Sequence, residues 1–262
     1  MTFIENNTDG VVYLTSPNIQ VTHAFTTRFG GVSQGIYSSL NLGINRGDSL
    51  DLVRENYDLI CRVLNITVQE IVCSFQIHSA HIRVVTRDDC GQLFKSTPHM
   101  ADGLITREAG VALMVFSADC VPILLHDPVH NAIGAIHAGW RGTTQDIAGA
   151  AIRKMTEEYG CSPQDIRAAI GPCISKCCYE TGEDVAAALR KALGKPADDC
   201  ITINGGKYKI DLKKANHLLL SKAGLNDITI SSDCTSCKSE KYWSHRKTNG
   251  ERGSQVALIL NN

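Results

Sequence analysis

The stretch that decides the fold is VALMVFSADCVPILLHDPVHNAIGAIHA, residues 111–138. It contains apolar runs at 111–117, 121–125 and 132–136, each of the length expected for a buried strand. Directly after it, apolar side chains recur at a spacing of four from Ile147 to Tyr159, before Gly160. That period is typical of a helix, and glycine is a common helix end. The segment therefore predicts consecutive strands that lead into a helix.

Strands and helices are mixed along the rest of the chain. Helical periodicity predicts helices over 48–64, 143–159, 183–193 and 212–223. Further strands are predicted over 11–14, 21–27, 71–77, 82–86, 167–170, 229–231 and 255–260. Since no polar linker divides the chain, we predict an α/β (α+β) fold that forms a single domain over residues 1–262.

Composition excludes several classes of protein. The chain has 262 residues, 43% of them hydrophobic, and a formal charge of −1. It can therefore bury a sizeable core, and it lacks the strongly basic balance of a nucleic-acid-binding tail. Residues 1–10 do not resemble an export signal, and no apolar run approaches the roughly 20 residues that span a bilayer. We expect a cytoplasmic protein with neither a membrane nor a nucleic acid as partner.

Cysteine is unusually frequent, with 11 residues. Without an export signal we expect reduced thiols, most of them small buried hydrophobes. Cys234 and Cys237 form a Cys-x-x-Cys pair, which suits a redox pair or half of a zinc site. A complete zinc site would need a second spaced pair, whereas Cys177 and Cys178 are adjacent. Buried thiols are therefore the favoured interpretation for these cysteines.

A candidate metal set consists of His78, Cys120 and His137, each expected at the end of a short apolar strand. Two imidazoles and a thiolate suit Zn²⁺ and leave a fourth position for water or substrate, as catalytic zinc sites do. The three residues lie far apart in sequence, so spacing alone does not distinguish them from packed histidines and a buried thiol. Arg141, just before a predicted helix, suits an anion site.

These residues lie in motifs that resemble one known family. The motifs are Thr26–Ser33, Asn41-Leu42-Gly43, Ala118-Asp119-Cys120-Val121-Pro122, His137-Ala138-Gly139-Trp140-Arg141-Gly142-Thr143, Cys234-Thr235 and Ser244-His245-Arg246. Together they cover almost the whole chain and are similar to the YfiH-type laccase-domain family, whose members are called polyphenol oxidases, peptidoglycan-editing factors or purine nucleoside phosphorylases. One departure is Gly250-Glu251-Arg252-Gly253, where the family usually has Thr-Gly-Arg. It leaves the role of Arg252 open.

The resemblance implies a fold, a cofactor and a reaction. The fold would be a layered α/β/β/α domain with mixed sheets, similar to the catalytic domain of cytotoxic necrotizing factor. Zinc would bind His78, Cys120 and His137, which would also be the catalytic residues, with copper as a substitute. The reactions would be phosphorolysis of adenosine, inosine and methylthioadenosine, accompanied by adenosine deamination, so the partners would be purine nucleosides and phosphate.

Phosphorolysis requires groups that bind phosphate, ribose and base. Arg141 is the first candidate for phosphate or ribose, with Arg28 and Arg246 as further candidates. The amides of Asn41 and Gln76 suit ribose hydroxyls or a purine edge, although turn or strand-end hydrogen bonds are an alternative for both. Asp119 suits the orientation of a ligand imidazole, or else a turn or capping role. His245 is a candidate for the pocket wall.

Two other enzymes use similar residues. A copper polyphenol oxidase would need clustered histidines, yet no two of the nine histidines are two positions apart. A metal-free hydrolase that edits peptidoglycan precursors would use Cys120 as nucleophile and His137 as base. A protein that only binds a nucleotide or a partner is a third alternative, which an assay for nucleoside turnover would distinguish.

Overall fold

The computed structural model describes residues 2–95 and 99–262. Its strands are β1 (Ile4–Thr8), β2 (Val11–Thr15), β3 (His23–Thr26), β4 (Ile71–Val72), β5 (Ile82–Val84), β6 (Gly103–Thr106), β7 (Ala112–Ser117), β8 (Val121–Asp127), β9 (Ala132–Ala138), β10 (Arg167–Ile170), β11 (Glu180–Thr181), β12 (Ile201–Asn204), β13 (Lys207–Ile210), β14 (Asp227–Ile230) and β15 (Gln255–Leu260). Its helices are α1 (Leu50–Leu64), α2 (Trp140–Thr144), α3 (Ile147–Tyr159), α4 (Glu183–Leu193), α5 (Leu212–Lys222) and α6 (His245–Thr248). Within the described ranges, no helix is long and apolar enough to cross a bilayer.

The strands form two large mixed sheets and a small one. The first sheet has the order β1-β2-β3-β15-β7-β4, and only its β4–β7 pair is parallel among the pairs described. The second has the order β14-β10-β8-β9-β6-β5, antiparallel in the centre and parallel at both edges. The small sheet, β11-β13-β12, is antiparallel. The predicted combination of mixed sheets and helices is confirmed.

Three buried apolar clusters show how the layers stack. Strand β7 illustrates this, because alternate side chains of a strand point to opposite faces. Met114 packs in a cluster with Tyr57 of α1, whereas Leu113 packs in a cluster with Leu124 of the other sheet. On the outer face of that sheet, α3 and α5 pack against β8 and β9. The order is therefore helix, sheet, sheet, helix, which agrees with the predicted α/β/β/α layers.

Several predicted boundaries are wrong for local reasons. The helix predicted over 143–159 is two helices, because Asp146 adopts a positive φ and its carboxylate caps the N-terminus of α3 through Gly149 N–H. The strand predicted over 71–77 ends at Val72, and the following residues form a loop. The strands β1, β6, β11, β12 and β13 were not predicted. Their burial patterns do not alternate regularly, which removes the period-2 signal.

Candidate functional site

The fold brings the three predicted metal-ligating side chains together. The ligand atoms of His78, Cys120 and His137 lie within 4.8 Å of one another. Cys120 Sγ is 4.0 Å from His78 Nε2, and the two imidazole rings meet edge to face with centroids 4.9 Å apart. His137 is buried, Cys120 is half-buried and His78 is exposed. The set is therefore open to solvent on the His78 side.

Two neighbouring strands and a loop position this trio. His137 lies near the end of β9, and Cys120 directly precedes β8, whose first residue pairs with Ala138 at the end of β9. His78 is not at a strand end, contrary to the prediction; it lies in the loop after β4 with φ of +61°. Asp119 also has a positive φ, of +89°. Non-glycine residues in this conformation are strained and persist where surrounding contacts hold them.

A buried carboxylate, Asp102, holds the His78 loop and the His137 ring together. It accepts hydrogen bonds from the backbone N–H groups of Ile77, His78 and Ser79 at 3.2, 2.9 and 2.7 Å. It also lies 2.9 Å from His137 Nδ1. With Nδ1 donating to the carboxylate, Nε2 of His137 is the nitrogen left for Cys120 and a metal. This positioning role of Asp102 was not predicted from the sequence, although Asp102 directly precedes the apolar strand β6.

The prediction that Asp119 orients an imidazole is wrong, because its carboxylate has other partners. Thr235 Oγ1 donates to it at 2.6 Å, and the backbone N–H of Arg246 donates at 2.7 Å. These bonds attach the segment around Thr235 and the start of α6 to the turn before Cys120. Asp119 therefore has the capping role, and it is Asp102 whose carboxylate lies beside the His137 imidazole.

The charges in the trio favour a thiolate. Burial alone would raise the pKa of the Cys120 thiol, but the charges and hydrogen bonds of His137 and His78 outweigh it and lower that pKa. Burial likewise opposes protonation of His137, but the Cys120 thiolate and Asp102 raise its pKa. Hydrogen bonds from His137 and Ser79 hold the pKa of Asp102 below its usual range, against the effect of burial. The metal-free site is thus a thiolate–imidazolium pair.

Gly139 leaves room in front of the trio. A Cβ atom at this position would lie 2.9 Å from Cδ2 of His78 and 3.2 Å from Sγ of Cys120. The φ of Gly139 is −67°, which any residue can adopt. A glycine is therefore needed here because of the close approach of His78 and Cys120, and not because of the backbone conformation. The donor set, the mutual distances and this space all fit a Zn²⁺ ion with three protein ligands.

Two arginines, Arg46 and Arg252, lie close to Ser254. The pKa of Arg252 falls to about 10 because the side chain is buried and because the charge of Arg46 is close, with Asp119 and Cys120 acting in the opposite direction. Arg252 Nη1 donates to the carbonyl of Gly253 and to Ser254 Oγ, whereas its buried Nε has no hydrogen-bond partner among the described residues. Like charges held together in this way favour an anion between them.

A cavity of about 710 Å³ opens next to these groups. Its lining residues include the aromatic side chains of Phe75, Phe94 and Phe116, together with Gln76 and Arg46. The described lining residues do not include the trio itself, but Gln76 is two residues from His78. The cavity wall therefore includes aromatic side chains and a guanidinium.

Comparison with known proteins identifies the family. The model of the family described as "Multi-copper polyphenol oxidoreductase laccase" matches residues 22–262. The chain belongs to this laccase-domain family. It is 39% identical over 242 residues to purine nucleoside phosphorylase YlmD of Geobacillus stearothermophilus, covering 89% of this chain and 88% of that protein. It is 36% identical over 253 residues to a purine nucleoside phosphorylase of Deinococcus radiodurans, covering 95% and 93%.

Solved structures of the family have the same fold. The crystal structure of YlmD from Geobacillus stearothermophilus superposes with a TM-score of 0.93 at 36% identity, covering 98% of both chains. The structure of a Bacillus licheniformis hypothetical protein YfiH gives a TM-score of 0.93 at 33% identity, covering 99% of both. The predicted family resemblance is thus confirmed.

In this laccase-domain protein, the two predicted substrate-binding amides have structural partners. Asn41 is buried, and its Oδ1 accepts from the N–H groups of Gly43 and Ser254 while its Nδ2 donates to Asp48. Gln76 makes a reciprocal pair with the backbone of Phe116, at 2.7 and 2.9 Å. The alternative interpretation, turn and strand-end hydrogen bonding, describes both amides, because each is already used by the backbone.

The three predicted arginines differ in their surroundings. Arg28 donates to the carbonyls of Ser38 and Ser239 and stacks on the Trp243 ring at 4.0 Å, so it connects two loops instead of facing a ligand. Arg246 donates to two carbonyls of the segment that precedes α4, those of Cys178 and Glu180. Arg141 is exposed, and its guanidinium lies 4.3 Å from the Trp140 ring centroid.

Six of the ten cysteines outside the trio are buried as predicted: Cys61, Cys73, Cys161, Cys173, Cys200 and Cys234. Cys90 is half-buried. The prediction is wrong for Cys177 and Cys237, which are exposed, and Cys178 is only half-buried. The sulfur atoms of Cys177, Cys178, Cys234 and Cys237 all lie within 4.8 Å of one another. This cluster was not predicted, because Cys177 and Cys178 are adjacent and a four-cysteine site was expected to need two spaced pairs.

Proposed function

We propose that this laccase-domain protein is a zinc-dependent purine nucleoside phosphorylase that acts on adenosine, inosine and methylthioadenosine, with accompanying adenosine deaminase activity. The observation that carries the proposal is the convergence of His78, Cys120 and His137, with an aromatic cavity that is lined by Gln76, two residues from His78. The names of its relatives from Geobacillus and Deinococcus support the same reaction.

The trio would hold the metal ion. His78 and His137 would each give a nitrogen and Cys120 its sulfur, and Gly139 keeps the space in front of them free. When bound, the ion would supply a Lewis acid and lower the pKa of water, which deamination needs at neutral pH. Asp102 would keep the His137 ring in the tautomer that presents Nε2.

Arg46 and Arg252 would bind phosphate, with Arg141 at the exposed side of the site. Their mutual repulsion is relieved when a phosphate dianion lies between them, and Arg252 retains a buried Nε–H free to donate. In phosphorolysis a phosphate oxygen forms a bond to C1′ of the ribose while the bond from C1′ to the purine nitrogen breaks. Positioned cations hold the nucleophile against C1′ during that exchange.

The aromatic cavity would bind the purine. Phe75, Phe94 and Phe116 offer faces on which a base can stack, and the volume of about 710 Å³ lies in the range of small-molecule sites.

The test is the turnover of inosine with inorganic phosphate. We expect hypoxanthine and ribose 1-phosphate, and loss of activity in His78→Ala, Cys120→Ala and His137→Ala with circular dichroism unchanged. Adenosine without phosphate should give inosine and ammonia. A wild-type protein that turns over neither nucleoside, although it contains one metal per trio, would refute the proposal.

One observation favours a second candidate, a cysteine hydrolase that edits peptidoglycan precursors. Cys120, His137 and Asp102 form a chain of thiolate, imidazolium and carboxylate similar to that of cysteine nucleophiles. A chelator separates the two candidates: it should abolish zinc-dependent phosphorolysis but leave a metal-free hydrolase intact. Copper oxidase activity is disfavoured, because the clusters of metal-ligating side chains among residues 2–95 and 99–262 contain at most two histidines.

A further inference from the structure

A second cluster of metal-ligating side chains lies outside the proposed active site. Cys177 and Cys178 come from the turn between β10 and β11, and Cys234 and Cys237 come from the segment after β14. Cys237 Sγ lies 3.3 Å from the sulfur of Cys178 and 3.5 Å from that of Cys177. The sulfurs of Cys177 and Cys178 are 3.8 Å apart.

These separations suit four thiolates around one ion. A tetrahedral zinc with Zn–S bonds of about 2.3 Å has sulfur–sulfur edges of about 3.8 Å. All four sulfurs are within 4.8 Å of one another, and the cysteines are free rather than disulfide-bonded. Because Cys177 and Cys237 are exposed, burial of apolar surface does not explain why four thiols converge here.

The backbone fixes the two segments relative to each other. Residues Cys173 and Cys234 form an isolated parallel bridge, and Thr235 N–H donates to the carbonyl of Cys173. The Ser175 N–H donates to Cys234 Sγ at 3.3 Å. This donor comes from the segment that supplies Cys177 and Cys178, so it orients the sulfur of Cys234 toward the other two thiols, as outer partners of metal ligands do.

The geometry points to a second, structural zinc site with Cys177, Cys178, Cys234 and Cys237 as its four ligands. Four protein ligands close the coordination shell, so this site would hold the fold locally and carry no substrate position. Adjacent ligands are no obstacle, because the turn at Ser175–Tyr179 directs both Cys177 and Cys178 toward Cys237.

The site would stabilise one wall of the proposed active site. Arg246 donates to the carbonyl of Cys178, and Thr235, which follows Cys234, donates to Asp119 next to Cys120. The two segments that supply the cysteines therefore also hold the turn that presents the Cys120 thiol. A metal ion that joins them would restrict the motion of that turn.

Metal content of the full-length protein tests this inference. The chain is produced with zinc under reducing conditions and analysed by mass spectrometry for metal and for mass. We expect two zinc ions per chain in the wild type, one in Cys177→Ser/Cys237→Ser and one in His78→Ala/Cys120→Ala. Cys90→Ser, which removes a half-buried thiol outside both clusters, should keep two. Cys177 and Cys237 are both exposed, so their replacement by serine creates no cavity in the core.

A second readout does not depend on folding of a double variant. Cobalt in place of zinc should give a strong thiolate-to-metal charge-transfer band, which the single variant Cys177→Ser weakens and the single variant Cys120→Ala largely retains. The inference is wrong if Cys177→Ser/Cys237→Ser contains as much metal as the wild type, or if mass analysis finds a disulfide among the four cysteines. If the wild type contains one zinc ion, and only Cys177→Ser/Cys237→Ser loses it, the four-cysteine site is supported and zinc in the proposed active site is not.

Discussion

Replacing Asp102 by asparagine tests how the metal trio is positioned. One carboxylate oxygen accepts from His78 N–H and lies beside His137 Nδ1, and the other accepts from the N–H groups of Ile77 and Ser79. An asparagine places an NH₂ group at one of these two ends. In either orientation the NH₂ group faces at least two N–H donors that had bonded to the carboxylate. The side chain also loses its negative charge.

The expected effect is a weaker metal site on a folded protein. Each buried donor that loses its acceptor costs about 1–3 kcal/mol, so two such donors lower the expected free energy of unfolding by roughly 2–6 kcal/mol. Loss of the partner of a ligand imidazole weakens metal binding by roughly 10- to 100-fold. That weakening corresponds to about 1.4–2.7 kcal/mol of binding free energy.

The assay is zinc competition with a chromogenic chelator, alongside chemical denaturation. It is performed in the Cys177→Ser/Cys237→Ser background, so that the proposed four-cysteine site does not contribute to the measured affinity. Asp127→Asn is the matched control, because Asp127 is also buried and also accepts from two backbone N–H groups and a histidine Nδ1. The control should lose stability but keep zinc affinity. Unchanged affinity in Asp102→Asn, or equal loss in both variants, would refute the reasoning.

Three further predictions follow from the same geometry. Gly139→Ala should weaken zinc binding about 10-fold or more, because the new methyl group would displace His78 and Cys120 and metal–ligand distances tolerate changes of only about 0.2 Å. The control Gly182→Ala, at the start of α4, should leave zinc binding unchanged. Chelator titrations that give equal affinities for the two variants would contradict this. In metal-free protein, iodoacetamide should label Cys120 at pH 7, where an ordinary thiol of pKa about 8.5 is mostly protonated, and labelling should decline as pH falls through the lowered pKa. Peptide mass mapping would measure it, and His137→Gln should suppress it. Arg46→Gln should raise the KM for phosphate roughly 10-fold with little change in kcat, while Arg62→Gln, at an exposed position in the last turn of α1, should leave both constants unchanged.

Local patterns in the sequence predicted much of the fold. The strands over 167–170 and 255–260 and the helix over 183–193 have the predicted bounds, and the strands within 111–138 differ by only one or two residues. These segments are long or strongly apolar, so their period survives in the sequence. Where regular alternation is absent, as in β1 and β12, the strand is defined by its pairing partner and was missed.

The sequence also named the residues of the metal trio, through motifs that are specific to the family. It could not name Asp102, whose five donors come from residues 77–79 and 137, more than 20 positions away in sequence. For the same reason Asn41 and Gln76 were assigned to a substrate: a polar side chain looks free until its backbone partners are known.

The chain's sequence by itself thus predicted a mixed α/β fold, and its family motifs predicted the layers and the three residues His78, Cys120 and His137, which the fold brings together. Only the tertiary structure decided which polar side chains are already bonded to the backbone and which thiols converge. Periodicity is a property of neighbours along the chain, whereas side-chain hydrogen bonds and metal clusters join residues that the packing of sheets and loops brings into contact. The approach of Cys177 and Cys178 to Cys234 and Cys237 is of that second kind.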